Sequence, residues 1–425
     1  MVIFCSGIGG IGLSAYAALQ RANGHVVRGS DRSDSALLAD LRAQGIEVFL
    51  NQDGSHVTDD IELFVYSEAV PPDAPERKKA ESLGIPQQSY FQALGEVSKA
   101  HDVIAVCGTH GKSTTTAMVG KVFIDAGKDP TVIVGTKSPE LDGRNWRKGS
   151  SDIFIVEACE YRRSFHYLSP DTVVLTTVDG DHFDAYGSIE EYRRAFVDFF
   201  NRLPEGQPVI MHGSDSACVD VVRASGHPAV NADEVPLPVL TVPGEHMRQN
   251  ARLVVALARQ YGIPEDAAVR SLAGFRGTWR RMEVKGMRAD GITVIDDYAH
   301  HPAEITASLQ GIKEGYPGRR IVVVFQPHTH DRTLKLYDDF LPVFRGIDLV
   351  VIPNIYGARG ESDSAKVDLP RFIDDVAMGS STEVINGNGL DGTLELLRSM
   401  LRPNDVVVTM GAGDVTSLAS RILVG

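Results

Sequence analysis

Three things are scarce in this chain, and each scarcity narrows what it can be. Cysteine is rare: Cys5, Cys107, Cys159 and Cys218 are the only four in 425 residues, and they are widely scattered. Two of them sit in apolar, strand-like runs, which reads as free thiols in a reducing compartment and not as a disulfide framework. Positive charge is in deficit, with 42 Lys and Arg against 56 Asp and Glu and a formal net charge of -14. That balance argues against nucleic acid as a partner, because phosphate-backbone binding needs basic surface. Long apolar runs are absent: none approaches the roughly 18 residues of a membrane-spanning helix. No secretory leader is visible before the first strand-like segment, so the expected location is the cytoplasm. At roughly 150 residues per domain, the length suggests two to four domains.

What the chain does have is concentrated in Val103–Val119, VIAVCGTHGKSTTTAMV. An apolar run, Val103–Cys107, stops at Gly108. The loop Gly108, Thr109, His110, Gly111, Lys112 follows, and the hydroxyl-rich run Ser113–Thr116 opens an apolar-faced helix. A helix N-terminus presents unpaired N–H groups to an anion. Lys112 can place its ammonium between phosphates, and Ser113 or Thr114 can offer a hydroxyl to magnesium. The full phosphate-loop pattern wants glycine at position 106, where Val106 stands. The alternative is a glycine turn that caps a helix and binds nothing. Four consecutive hydroxyl residues argue against it, since they are poor helix formers without partners.

Residues 1–98 read as a small βαβ unit. Val2–Ser6 runs into Gly7-Ile8-Gly9-Gly10-Ile11-Gly12, a G-x-G-x-x-G turn between strand and helix. That pattern brings backbone close to a diphosphate. A second strand, His25–Gly29, leads to Asp31, where such folds place a carboxylate over a ribose. The strand Leu63–Tyr66 ends at Ser67. A nicotinamide cofactor is the obvious ligand, but a hydride-transfer enzyme has no use for the second phosphate loop at 108. Two loops suggest two phosphorylated substrates, ATP at 108–116 and a sugar nucleotide at 7–12.

Residues 99–276 form the central unit. The strand Ile153–Glu157 ends in a carboxylate suited to magnesium, which takes oxygen ligands beside substrate phosphates. Beyond the strand Val173–Thr177 come Asp179, Asp181, His182 and Asp184. His182 is read either as a metal or phosphate group or as a loop-holding histidine. Gly143–Gly149 is a polar, basic patch, and Pro228–Pro236 is irregular. His246 and Asn250 lie at the start of a long helical stretch and can hold a nucleotide or cap the helix.

In residues 277–425, Asp297, His300 and His301 follow the strand Thr293–Asp296, and His328 and Arg332 follow Arg320–Phe325. Leu334–Phe344 reads as one helix. Polar clusters that all follow strands share one sheet edge. No pair of these histidines has metal-ligand spacing, so a substrate-orienting surface fits better than zinc.

Together these motifs resemble the Mur ligases, the ATP-dependent enzymes that build the peptide stem of bacterial peptidoglycan. The resemblance spans the chain. It rests on Gly7–Gly12 with Asp31, GTHGKSTTT from Gly108, Glu157, Asp181-His182, and Pro243-Gly244 with His246 and Asn250. Asp297-Tyr298-Ala299-His300-His301-Pro302 with Glu304, Gln326-Pro327-His328, Arg332-Thr333 and Gly411–Asp414 complete it. It implies an α/β, three-domain Mur ligase architecture: an N-terminal Rossmann-like domain (1–98), a central P-loop ATPase-like domain (99–276) and a C-terminal Rossmann-like ligase domain (277–425). The nearest branch adds L-alanine to UDP-N-acetylmuramate in the cytoplasm, as a monomer or homodimer.

On that reading UDP-N-acetylmuramate lies against Gly9, Gly10, Ile11, Gly12, Asp31, Ser67 and Arg332. ATP lies on Gly108–Thr114 and Asn250, and Mg2+ on Ser113, Glu157 and His182. Lys112, Glu157, His182, Asp297, His300, His301 and Arg332 are the implied catalytic set. Thr177, Met247 and Thr329 depart from the family's usual Asn, Asn and Arg, and Cys159–Arg163 replaces a more acidic stretch. Tyr161 is reminiscent of the sister branch that reattaches recycled tripeptide. That branch, or an inactive nucleotide-binding relative, is the alternative.

Overall fold

The computed structural model describes residues 1–180, 185–357 and 366–424, and its strands form three sheets. The first comprises β1 (Val2–Ser6), β2 (Val26–Ser30), β3 (Glu47–Phe49), β4 (Leu63–Tyr66) and β5 (Gln87–Ser89), in the order β3-β2-β1-β4-β5. Every pairing in it is parallel. β1 lies where the strand order reverses, so the glycine loop leaves the sheet at its switch point, the usual ligand crevice of such folds.

The second sheet comprises β6 (Asp102–Cys107), β7 (Thr131–Ser138), β8 (Arg144–Arg147), β9 (Ile153–Glu157), β10 (Thr172–Leu175), β11 (Val209–Met211) and β12 (Ala229–Asn231). Its order is β12-β11-β10-β6-β9-β7-β8. β6 is buried on both faces, as its unbroken apolar run requires. One expectation is corrected here: the stretch Pro228–Pro236, read as irregular, contains β12. The polar patch Gly143–Gly149 contains β8, an antiparallel edge partner of β7. Edge strands need no apolar run, so composition conceals them.

The third sheet comprises β13 (Glu283–Met287), β14 (Thr293–Asp297), β15 (Ile321–Phe325), β16 (Leu349–Ile352), β17 (Val384–Asn386) and β18 (Val406–Met410). Its order is β13-β14-β18-β15-β16-β17, parallel except for the β13–β14 pair. The single helix expected over Leu334–Phe344 is instead two pieces, His330–Lys335 and Tyr337–Phe340. They are broken at Leu336, whose φ of -109° and ψ of 20° are not helical.

Chain contacts divide these sheets between two compact units. The first, Met1–Leu240 with Arg248–Arg276, holds the first two sheets; the second, Thr241–Met247 with Gly277–Gly425, holds the third. Within the first unit the two sheets are joined through specific contacts. Asn145 on β8 donates to Ile11 O at 2.5 Å, and Lys137 on β7 pairs with Asp40 at 2.8 Å. Among the described residues no helix is long and apolar enough to cross a membrane.

Candidate active site

The loop after β1 opens the helix Ile11–Ala22, with Gly10 as its N-cap. Gly7 has φ 77°, and a Cβ there would lie 2.9 Å from the Ser67 Cβ, so this turn needs glycine. Asp31 is folded back onto the loop: Oδ2 accepts from Gly9 N at 2.8 Å and Oδ1 from Arg32 N at 2.7 Å. It thus holds the turn as well as standing at the crevice. Ser67 packs beside Gly7 and within 4.0 Å of a Cβ on Gly10. The ring edge of Tyr90 lies against Gly12, with Cε1 2.7 Å from where a Cβ would be.

The loop after β6 is built more tightly. Gly108 and Gly111 have φ of 132° and 81°. A Cβ on Gly108 would lie 2.1 Å from Thr176 Oγ1, and one on Gly111 2.7 Å from Asn250 Oδ1. Asn250, on the helix Glu245–Gln260, therefore touches the loop directly. The segment after β10 clasps the loop along its length. Thr109 N donates to Thr177 O at 2.9 Å, His110 N to Thr177 Oγ1 at 3.0 Å, and Thr109 Oγ1 to Asp179 O at 3.0 Å. His110 Nε2 lies 3.5 Å from Asp179 Oδ2. Thr177, in place of the family's usual Asn, thus has a job in the loop's geometry.

The helix Lys112–Asp125 starts at the lysine, and Ser113–Thr116 are all buried within it. Lys112 Nζ lies 2.6 Å from Gly108 O, 2.9 Å from Thr109 O and 3.0 Å from Glu160 Oε1. Burial alone would lower its pKa, but the carboxylate of Glu160, with Cys159 and Glu157, more than offsets this and raises it, so the ammonium stays charged. Ser113 Oγ donates to Glu157 Oε1 at 3.0 Å, and Gly135 N donates to Oε2 at 2.6 Å. A Cβ on Gly135 would lie 2.8 Å from that carboxylate, so glycine keeps space around it. A hydroxyl and a carboxylate beside a phosphate-loop lysine are oxygen donors of the type magnesium takes. Asp181, His182 and Asp184 lie outside the described residues.

The sequence marks Glu160 only as part of an altered stretch, yet it is fully buried and reaches the lysine. The signal was there: a second carboxylate three residues beyond a strand-end glutamate.

In the second unit, Asp297 ends β14 and is buried. Its Oδ1 accepts from Ala299 N at 2.7 Å and its Oδ2 from Met282 N at 2.9 Å. Burial raises its pKa to about 6 against these hydrogen bonds. His300 Nδ1 donates to Tyr298 O at 3.1 Å. Burial pushes its pKa down to about 4, with Arg332 and His328 assisting and Glu304 opposing. The ring is therefore neutral, and this tautomer leaves Nε2 as an acceptor. The His300 and His328 ring centres are 5.8 Å apart, and His328 stacks on Tyr356 at 5.4 Å. His301 has a structural duty: its Nδ1 caps the helix Pro302–Gly315 by accepting from Ala303 N at 3.4 Å. Arg332 is held by its amide, which donates to Thr329 Oγ1 at 3.3 Å. Thr329 itself has φ 66°. Among the described residues no three His, Cys, Asp or Glu side chains group as metal ligands.

These sheets and loops define a class: a three-domain α/β protein with Rossmann-like and ATPase-like parts. Family models narrow it. Residues 3–102 match the Mur ligase family catalytic domain, residues 106–234 the Mur ligase middle domain and residues 280–413 the Mur ligase glutamate ligase domain. The UDP-N-acetylmuramate–L-alanine ligase of Clostridium novyi is 35% identical over 98% of this chain and 96% of its own length. That of Nitratidesulfovibrio vulgaris is 37% identical over 99% and 97%. The crystal structure of the UDP-N-acetylmuramate–alanine ligase from Thermotoga maritima is 28% identical, with a TM-score of 0.83 over 99% of this chain and 98% of that one. A murein peptide ligase from Psychrobacter arcticus, 23% identical, shares the fold at a TM-score of 0.72. This chain belongs to the Mur ligase family, ATP-dependent enzymes of peptidoglycan precursor synthesis.

Proposed function

We propose that this chain joins L-alanine to the lactyl carboxylate of UDP-N-acetylmuramate, using ATP and forming an acyl phosphate on the way. The observation that carries the phosphoryl-transfer part is the cluster at the start of the helix Lys112–Asp125. It sets a charged ammonium, a hydroxyl and a strand-end carboxylate side by side on one phosphate loop. The choice of substrates rests on the full-length relatives named for that reaction.

A carboxylate does not condense with an amine until its oxygen becomes a leaving group, and phosphorylation makes it one. Lys112 and the N–H groups that open the helix Lys112–Asp125 hold the phosphates, where the backbone dipoles also favour them. Ser113 and Glu157 are the residues to hold magnesium, which neutralises phosphate charge when bound. Asn250 lies against Gly111 and helps place the nucleotide. The first glycine loop, with Ser67, takes the UDP-sugar's diphosphate. In the third domain, neutral His300 and the Arg332 cation orient the amine and the acyl group. The amine must arrive unprotonated to attack: the Arg332 cation disfavours its ammonium form, and His300 Nε2 accepts a hydrogen bond from the neutral amine's N–H and orients it.

The test is phosphate release from ATP with magnesium and UDP-N-acetylmuramate, comparing L-alanine, L-serine, glycine and the L-Ala-γ-D-Glu-meso-diaminopimelate tripeptide. L-alanine-dependent release with the matching mass gain in the UDP-sugar is the expected result. Release with tripeptide alone would move the chain to the recycling branch. Nucleotide binding without release would make it a binding protein.

A further inference from the structure

Lys112 has three N–H donors to satisfy. Two of its acceptors, Gly108 O and Thr109 O, belong to the loop itself and come with the turn. The third does not. Glu160 lies 48 residues further along the chain, enters from the segment after β9, and meets the ammonium with both carboxylate oxygens 3.0 Å away. It is fully buried. A buried carboxylate carries a desolvation penalty that only good pairing offsets, so its presence beside the lysine calls for a reason.

The backbone that delivers Glu160 points to one. Arg162 and Arg163 both stand in the left-handed region, at φ 50°, ψ 32° and φ 58°, ψ 27°. That region is disfavoured for residues with a Cβ, and such residues occupy it singly where they occupy it at all. Strain of this kind persists where surrounding contacts over-determine it, and it gathers at functional sites. The contacts are present. The Arg163 guanidinium reaches Glu191 at 3.0 Å and Asp198 at 3.4 Å, both on the helix Ile189–Phe200. The buried Tyr186 hydroxyl donates to Glu160 O and accepts from Arg163 N. One hydroxyl thus ties down both the residue that carries the carboxylate and the strained residue behind it.

We propose that Glu160 is a positioning residue for Lys112. Its carboxylate, held by the strained Arg162–Arg163 turn and its struts to Tyr186, Glu191 and Asp198, keeps the lysine ammonium in place at the loop, and one of its three N–H groups turns to the transferring phosphate when ATP binds. This rests on the function proposed above. A lysine side chain has four rotatable bonds. With only the loop carbonyls to hold it, it would still meet a bound triphosphate, but not in the single orientation that transfer needs. Misplacement of that kind acts on turnover more than on binding.

The experiment uses the full chain, with ligation followed by phosphate release and magnesium-ATP binding by calorimetry. Glu160→Gln keeps the side-chain volume and an acceptor oxygen but removes the charge. Its kcat should fall about 10- to 100-fold while the Kd for magnesium-ATP changes less than about threefold. Glu160→Asp keeps the charge but withdraws it by one methylene, and should recover part of that loss. Arg163→Ala, at a partly exposed strut, should lower kcat in the same direction by a smaller factor with an unchanged melting temperature. Wild-type kcat in Glu160→Gln would overturn the proposal. So would parallel loss of binding and turnover there, which would mark a structural role. A shifted magnesium requirement alone would make Glu160 a metal ligand instead, and would also overturn it. Should Glu160→Gln not fold, wild-type kcat in both Glu160→Asp and Arg163→Ala would be equally fatal. A wild-type enzyme that ligates no amine would refute the proposed function, a different failure visible before any variant is made.

Discussion

His300 lends itself to a test of how the third sheet's edge is built, through the pH dependence of stability. Its imidazole falls from an ordinary 6.5 to about 4 in the folded protein, chiefly through burial. As pH falls through 6.5 the unfolded chain takes up a proton that the native state refuses until about pH 4. The stability that neutral His300 contributes is therefore present above pH 6.5 and lost on acidification towards 4. At pH 4.5 the loss is about 2.5 kcal/mol, and at pH 7.5 it is about zero. Asp297 runs the other way: raised to about 6, it favours the native state at low pH and loses that contribution as pH rises through 6. The two nearly cancel in the wild type, so its own pH profile hides both. Substituting one exposes it. His300→Gln, compared with wild type by urea unfolding at pH 7.5 and 4.5, removes the histidine and leaves Asp297 in both proteins. The difference in stability between the two proteins should shift by about 2.5 kcal/mol in favour of His300→Gln on going to pH 4.5. Trp279 lies in the same unit, and a Trp146→Phe background makes it the sole tryptophan, so its fluorescence reports that unit's unfolding. A difference that is unchanged between the two pH values, or that moves the other way, would refute the argument that burial holds His300 neutral.

Two further outcomes follow from the phosphate loop. Lys112→Met should abolish ATP-dependent ligation and also cost about 3 kcal/mol of stability, because Glu160 is left buried without its cation. Adding Glu160→Gln should restore most of the stability and none of the turnover. Thermal unfolding and phosphate release on the single and double variants check both, and a Lys112→Met protein as stable as wild type would show that the pair is not desolvated. Gly135→Ala puts a methyl carbon 2.8 Å from Glu157 Oε2. The carboxylate must swing away, so the magnesium concentration for half-maximal turnover should rise about tenfold, with little change in melting temperature. An unaltered magnesium titration would mean that Glu157 does not serve the metal.

Much of this protein is written locally. The runs Val2–Ser6, Leu63–Tyr66 and Ile153–Glu157 are strands with the bounds their sequence suggests. A buried parallel strand is a short apolar run that stops where the chain must turn. The glycines of both loops announce themselves in the same way, because a positive φ or a close approach is a demand on a single residue. The strands Arg144–Arg147 and Glu283–Met287 escaped notice because an antiparallel edge strand is defined by its neighbour and not by its own composition. The order of the candidate site's motifs along the chain was equally legible, and so was the family it pointed to.

What the chain order could not supply is which polar groups satisfy one another. That Asp31 turns back to bond Gly9, that Thr177 grips the phosphate loop, and that His301 caps its own helix are results of packing. Glu160 shows the limit most clearly. It meets Lys112 only because β9 lies beside β6 and a strained turn stands on the helix Ile189–Phe200. Periodicity and glycine report the backbone's conformation one residue at a time. Pairing of buried charges depends on which strands become neighbours and on how far water is excluded between them, and both are decided only when the sheets assemble.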